Sequence, residues 1–90
     1  MNALATLKLL PQECKGSYRF NSPLYVTRGF QEHFKEDTFL LAMTAIQWVG
    51  EERVRSKNGA DYLQVFEANG ERFWLIDDVD HVTALLPEEY

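Results

Sequence analysis

A chain of 90 residues buries only about 60–65% of the surface its unfolded form exposes, which supplies apolar mass for one core and none for a second. Its 46% hydrophobic and 26% charged residues exclude global disorder, and no apolar run approaches the roughly 18 residues of a membrane-spanning helix. The formal charge of −5 is concentrated: residues 1–60 carry eight Lys and Arg against six Asp and Glu, whereas residues 61–90 carry one against eight.

Residues 1–22 read as an N-terminal arm and loop. Asn2 is a candidate cap for a short helix, with Leu4, Leu7 and Leu10 on one side. The start has neither a basic leader nor a cleavage site, so export is not expected. Gly, Ser, Asn and Pro accumulate between Pro11 and Pro23, as in a loop. Within it, Cys14 is the single cysteine. It has no partner for an internal disulfide, which points to the reducing cytoplasm. Leu24 to Thr27 is short, β-branched and aromatic, and predicts a strand entered from Pro23 and left at Arg28-Gly29. Thr27 is placed to cap the following turn, and Arg28 to pair with the acidic tail. His33 falls on a short helical turn near solvent.

From Asp37 or Thr38 to about Arg55 the pattern is helical. Phe39, Ala42, Met43, Ile46, Val49 and Arg53 recur at steps of three and four. Leu40, Leu41, Ala45 and Trp48 widen the stripe, so the helix is expected to be covered on most sides. Lys57-Asn58-Gly59 marks its end, where cations suit the negative terminus and Asn or Gly takes a left-handed cap.

Two strand-like runs, 61–68 and 71–77, are joined by Asn69-Gly70, the two-residue loop of type I′ hairpins. That loop length fixes the register: Ala68 opposite Glu71, Glu67 opposite Arg72, Phe66 opposite Phe73, Val65 opposite Trp74 and Leu63 opposite Ile76. Alternation then puts Leu63, Val65, Trp74 and Ile76 on one face and Tyr62, Phe66, Phe73 and Leu75 on the other. One helix covers one face. The opposite face is expected to meet the N-terminal segment or another subunit. A last strand, 81–86, completes a meander. The expected fold is α+β: a single domain over 1–90 with one long helix on a small, mainly antiparallel sheet of strands at about 24–27, 61–68, 71–77 and 81–86.

Three blocks also carry a family resemblance: Tyr25-Val26-Thr27-Arg28-Gly29-Phe30, then Asp61-Tyr62-Leu63-Gln64-Val65-Phe66-Glu67, then Leu75-Ile76-Asp77-Asp78-Val79-Asp80-His81 running on to Tyr90. Over residues 25–90 the chain resembles domain-of-unknown-function family 960, small proteins of Firmicutes often carried on staphylococcal cassettes and other mobile elements. The resemblance implies no assigned activity. It implies mobile-element company, and it departs from the family pattern where Asn69-Gly70 replaces a longer segment.

Asp77, Asp78, Asp80 and His81 group carboxylates with an imidazole, the ingredients of a divalent-metal or acid–base site. Strand alternation separates Asp77 from Asp78, no calcium-loop glycine or bidentate Glu completes the set, and Asp is common in turns, so a structural turn is the preferred reading. His33, His81 and Cys14 have no spacing that brings them together. No Gly-x-Ser-x-Gly, phosphate-binding loop or Cys-x-x-Cys is present, so neither catalysis nor a cofactor is expected. Arg53, Arg55 and Lys57 suit the helix end as well as they would suit phosphate.

The function expected is a protein-interaction module, self-associating as a homo-oligomer. Its contact residues are drawn from Tyr62, Phe66, Phe73, Leu75, Asp77, Asp78, Asp80, Glu88, Glu89 and Arg28. The alternative is an inhibitor of a nucleic-acid-handling protein, its acidic last third imitating phosphate charge toward a basic partner. Nucleic acid itself is disfavoured by that charge, and the plainer reading of the acidic third is a solvated surface.

Overall fold

The computed structural model describes residues 3–90. Its centre is the hairpin of β3 (Leu63–Ala68) and β4 (Glu71–Asp77), turned at Asn69 (φ 53°) and Gly70 (φ 78°). Both turn residues need the left-handed region, which Asn tolerates and Gly occupies freely. The register matches the sequence expectation at every pair, from Ala68 opposite Glu71 to Leu63 opposite Ile76.

Three further strands complete a five-stranded sheet. These are β1 (Lys8–Leu9), β2 (Leu24–Val26) and β5 (Val82–Leu85), in the order β1-β3-β4-β5-β2. Its pairings are antiparallel except that β2 runs parallel to β5, and the strand order makes β2 an edge strand. The N-terminal arm departs from expectation. Ala3–Thr6 is a single 3₁₀ turn, and Lys8–Leu9 pairs with Glu67 and Phe66 as the opposite edge. A helix over Leu4, Leu7 and Leu10 would have left the outer backbone of β3 without partners. The expected cap Asn2 lies outside the described residues.

The second layer is the expected long helical stretch on one face of the sheet, so the α+β fold stands, and it is built of two successive segments. α1 (Arg28–Phe34) starts on Thr27, whose hydroxyl accepts from the Phe30 N–H at 3.2 Å. It ends at Lys35 (φ 51°) and passes through a 3₁₀ turn, Lys35–Asp37, into α2 (Thr38–Val49). A π-type turn, Gly50–Val54, extends α2, and the segment closes at Gly59 (φ 69°).

The core lies between these layers. Thr38, Leu41, Ala42, Ala45 and Val49, at helical spacing, form the buried stripe of α2. Below it, Phe66 and Phe73 stack at 5.1 Å, and Phe30 and Phe34 meet Phe73 edge-on at 5.1 and 5.6 Å. Aromatic pairs at such separations add about 0.5–1.5 kcal/mol each beyond the area they bury. The Cα radius of gyration, 12.0 Å, is that of one compact body of this length.

The stripe corrects the reading of α2. Phe39 and Met43, placed by periodicity among the core positions, face outward together with Leu40. Small Ala42 and Ala45 let the helix backbone approach the sheet, and the wide apolar series therefore has more members than the sheet can cover.

Candidate interaction surface

The outer side of α2 carries the most exposed apolar cluster among the described residues of any helix or strand. Phe39, Leu40 and Met43 are 63%, 53% and 61% exposed. At 100° per residue they fall within about one third of the helix circumference and form a single ridge. Glu36, one turn before Phe39, and Gln47, one turn after Met43, are exposed at its two ends. Beyond Gln47 lies a concavity of about 510 Å³ lined by Arg19, Asn21, Gln47, Gly50, Glu51, Val54 and Arg55. Neither Arg19, Arg55 nor Glu36 forms an ion pair among the described residues.

Several residues expected to make contacts lie elsewhere. Phe66, Phe73 and Leu75 have no exposed surface because they face the helices, so they build the core and offer nothing to a partner. The opposite sheet face is closed in part by the chain itself. The 3₁₀ turn Pro87–Glu89 folds back on β4, the Tyr90 ring stands edge-on to Trp74 at 5.5 Å, and Ile76 and Leu85 are buried. The C-terminal turn thus takes part of the covering role expected of the N-terminal segment or of another subunit. Leu63, Val65 and Trp74 stay half-buried. Tyr62 is exposed, 6.1 Å from Tyr18. Its phenol is pushed up first by neighbouring Tyr90, then by desolvation and by Asp61.

The acidic residues are divided by their hydrogen bonds. Asp77 is buried: Oδ2 accepts from the Phe20 N–H at 2.9 Å and Oδ1 from the Val79 N–H at 2.7 Å. It ties the loop before β2 to the turn after β4, where Phe20 (φ 52°) and Val79 (φ 78°) hold left-handed conformations. Asp78 lies 3.2 Å from His81 Nε2. Glu89 turns back on the start of α1. One oxygen accepts from the Thr27 hydroxyl at 2.6 Å and the Leu86 N–H at 2.9 Å, the other from the Gly29 N–H at 3.1 Å. Burial works to raise its carboxyl, but the hydrogen bonds from Thr27, Leu86 and Gly29 win and hold it below the usual carboxylate range. Arg28 pairs with Glu32 at 3.7 Å, within its own helix, and not with the tail. Asp80 and Glu88 are left exposed.

Of the carboxylates in the acidic last third, Asp78, Asp80, Glu88 and Glu89 are exposed, and buried Asp77 does not join them at the surface. Nor do Asp77, Asp78, Asp80 and His81 converge: among the described residues no three His, Cys, Asp or Glu side chains form a group able to hold a metal ion. Among the same residues no helix is long and apolar enough to cross a membrane.

The α2 ridge escaped the sequence reading. Its signal was there: the apolar series of this helix is wider than one sheet can cover.

Comparison with known proteins found no matching family model, no matching curated protein and no matching solved structure. The resemblance to family 960 rests on its three sequence blocks alone.

Proposed function

We propose that this chain is a non-catalytic protein-interaction module that self-associates through the outer face of α2. The observation that carries the proposal is the ridge of Phe39, Leu40 and Met43, each more than half exposed on one side of one helix. Large apolar side chains grouped in this way are kept from water most readily by another protein surface. Sheet extension is a poor alternative, since the edges β1 and β2 offer only two and three residues. The central sheet face is a poorer one, because Pro87–Tyr90 already occupies part of it.

The three blocks that resemble family 960 imply no assigned activity. The lone, exposed Cys14 fits a reducing cytoplasm. Sedimentation velocity from about 5 to 500 µM tests the proposal across the range of weak and transient association. A sedimentation coefficient that rises with concentration toward that of a dimer is the expected result. A constant monomer value over the whole range refutes it.

A further inference from the structure

Resting on that reading, we infer that the partner of the α2 ridge is a second copy packed antiparallel, with Glu36 of each copy seated in the basic concavity beside Gln47 of the other. The two ends of the ridge differ in charge. Glu36 precedes it, while the concavity that follows it presents Arg19 and Arg55, two cations with no ion pair among the described residues. A two-fold axis through the middle of the ridge sets Phe39 and Leu40 of each copy against Met43 of the other. It also carries each Glu36 one turn further, to Gln47 and the two arginines.

Such a contact is isologous and closes on itself as a dimer. It places a thioether against an aromatic ring, a favourable pair, and opposes the two helix dipoles. A parallel arrangement would instead set Glu36 against Glu36 and align the dipoles. Glu51, which also lines the concavity, accepts from Gln47 Nε2 at 3.4 Å and lies on the same side as the two arginines. The cations therefore outnumber it two to one at the place where Glu36 arrives. Three side chains a little over half exposed offer on the order of 300 Å² per copy, well under the roughly 800 Å² of a standard interface, so the dimer belongs to the weak, transient class.

A charge exchange tests the arrangement. Within one chain Glu36 and Arg55 are separated by about 25–30 Å of helix, beyond the screening length of ordinary buffer, so they are not coupled inside a monomer. Glu36→Lys and Arg55→Glu are each expected to weaken dimerisation about five-fold or more. The double variant is expected to return to within about two-fold of wild type, because each new lysine meets a new glutamate. Melting curves of the monomers confirm that the variants fold. If the wild type dimerises but the double variant is as weak as the product of the two single effects, this seam is overturned while self-association stands. If the wild type never dimerises, both fall together.

Discussion

Arg53 and Gln64 meet inside the protein: the guanidinium Nη1 donates to Gln64 Oε1 at 2.7 Å, in a place where Gln64 has no exposed surface. The same guanidinium donates through Nη2 to the Leu10 carbonyl at 2.8 Å. Gln64 Nε2 donates to Gln12 Oε1 at 2.7 Å, and Gln12 Nε2 donates to the Gly59 carbonyl at 2.8 Å. One polar network thus pins the N-terminal arm to the last turn of the helix layer and to β3. Burial pushes the Arg53 guanidinium below its ordinary value, with neighbouring Glu52 working the other way, and an arginine remains a cation under such a shift.

Removing one member of this network leaves others unpaired, which costs more than the bond itself. Arg53→Met is expected to lower unfolding free energy by about 2–3 kcal/mol in urea titrations. Gln64→Leu should cost clearly less in the Arg53→Met background than in wild type, since the partner is already gone. Strict additivity would show that the two side chains do not act together.

Glu89 and Gly29 form a second long-range tie, which predicts both a mutational and a pH effect. A Cβ on residue 29 would lie 2.4 Å from Glu89 Oε2, so Gly29→Ala must displace the carboxylate. Thr27→Ala removes the helix cap and a Glu89 partner together, at a cost of about 1 kcal/mol. The folded-state value of Glu89 is depressed. Its contribution is therefore fully present above the unfolded carboxyl value, near about 4.3, and fades as pH falls through the lower folded value. The stability difference between wild type and Glu89→Gln should shrink on acidification through that window, as chemical unfolding at stepped pH will show. A difference that is flat with pH would contradict the tie.

Two glycines with positive φ separate conformational strain from packing. Gly70 (φ 78°) has nothing within 4 Å of an added Cβ, whereas Gly59 (φ 69°) would place one 2.0 Å from the Gly16 carbonyl oxygen. Gly70→Ala should cost about 1–2 kcal/mol, the left-handed penalty alone. Gly59→Ala adds a backbone clash that the arm can relieve only by leaving Asn58 and Ala60, to which Gly16 and Tyr18 donate at 3.2 and 3.0 Å. It should cost markedly more, with residues 12–18 losing amide protection. Equal costs would mean that the arm is not held there.

These ties also mark the limit of what could be read in the sequence. The hairpin was legible down to its register because Asn69-Gly70 leaves a two-residue loop few ways to close. The extent of α2 was legible from its periodicity, and Thr27 as a cap from its position before a turn. The orientation of α2 was not, because Phe39, Leu40, Leu41, Ala42 and Met43 put apolar groups on both sides of the helix. Only packing against the sheet selects Leu41 and Ala42. α1 was reduced to a turn by Gly29 and its polar residues, although Phe30 and Phe34 stand one turn apart. Glu89 and Thr27 lie 62 positions apart, and the two residues of β1 carry no local pattern. Such contacts depend on the assembled fold.

The ridge and the core should respond to substitution in opposite ways. Phe73→Ala opens a cavity among Phe30, Phe34 and Phe66 and should cost about 3–5 kcal/mol, close to the whole stability of a domain this size. Phe39→Ser with Met43→Ser should change monomer stability by no more than about 1 kcal/mol and abolish concentration-dependent sedimentation. A large loss of monomer stability in the double variant would place these two side chains in the core instead.

The most direct test of the α2 surface is a dilution series of the wild-type protein followed by amide chemical shifts. Concentration-dependent shifts are expected only at residues 36–47 and the neighbouring concavity at Arg19 and Arg55. Shifts centred on Tyr18, Tyr62, Trp74 and Tyr90, or none up to about 500 µM, would contradict this expectation.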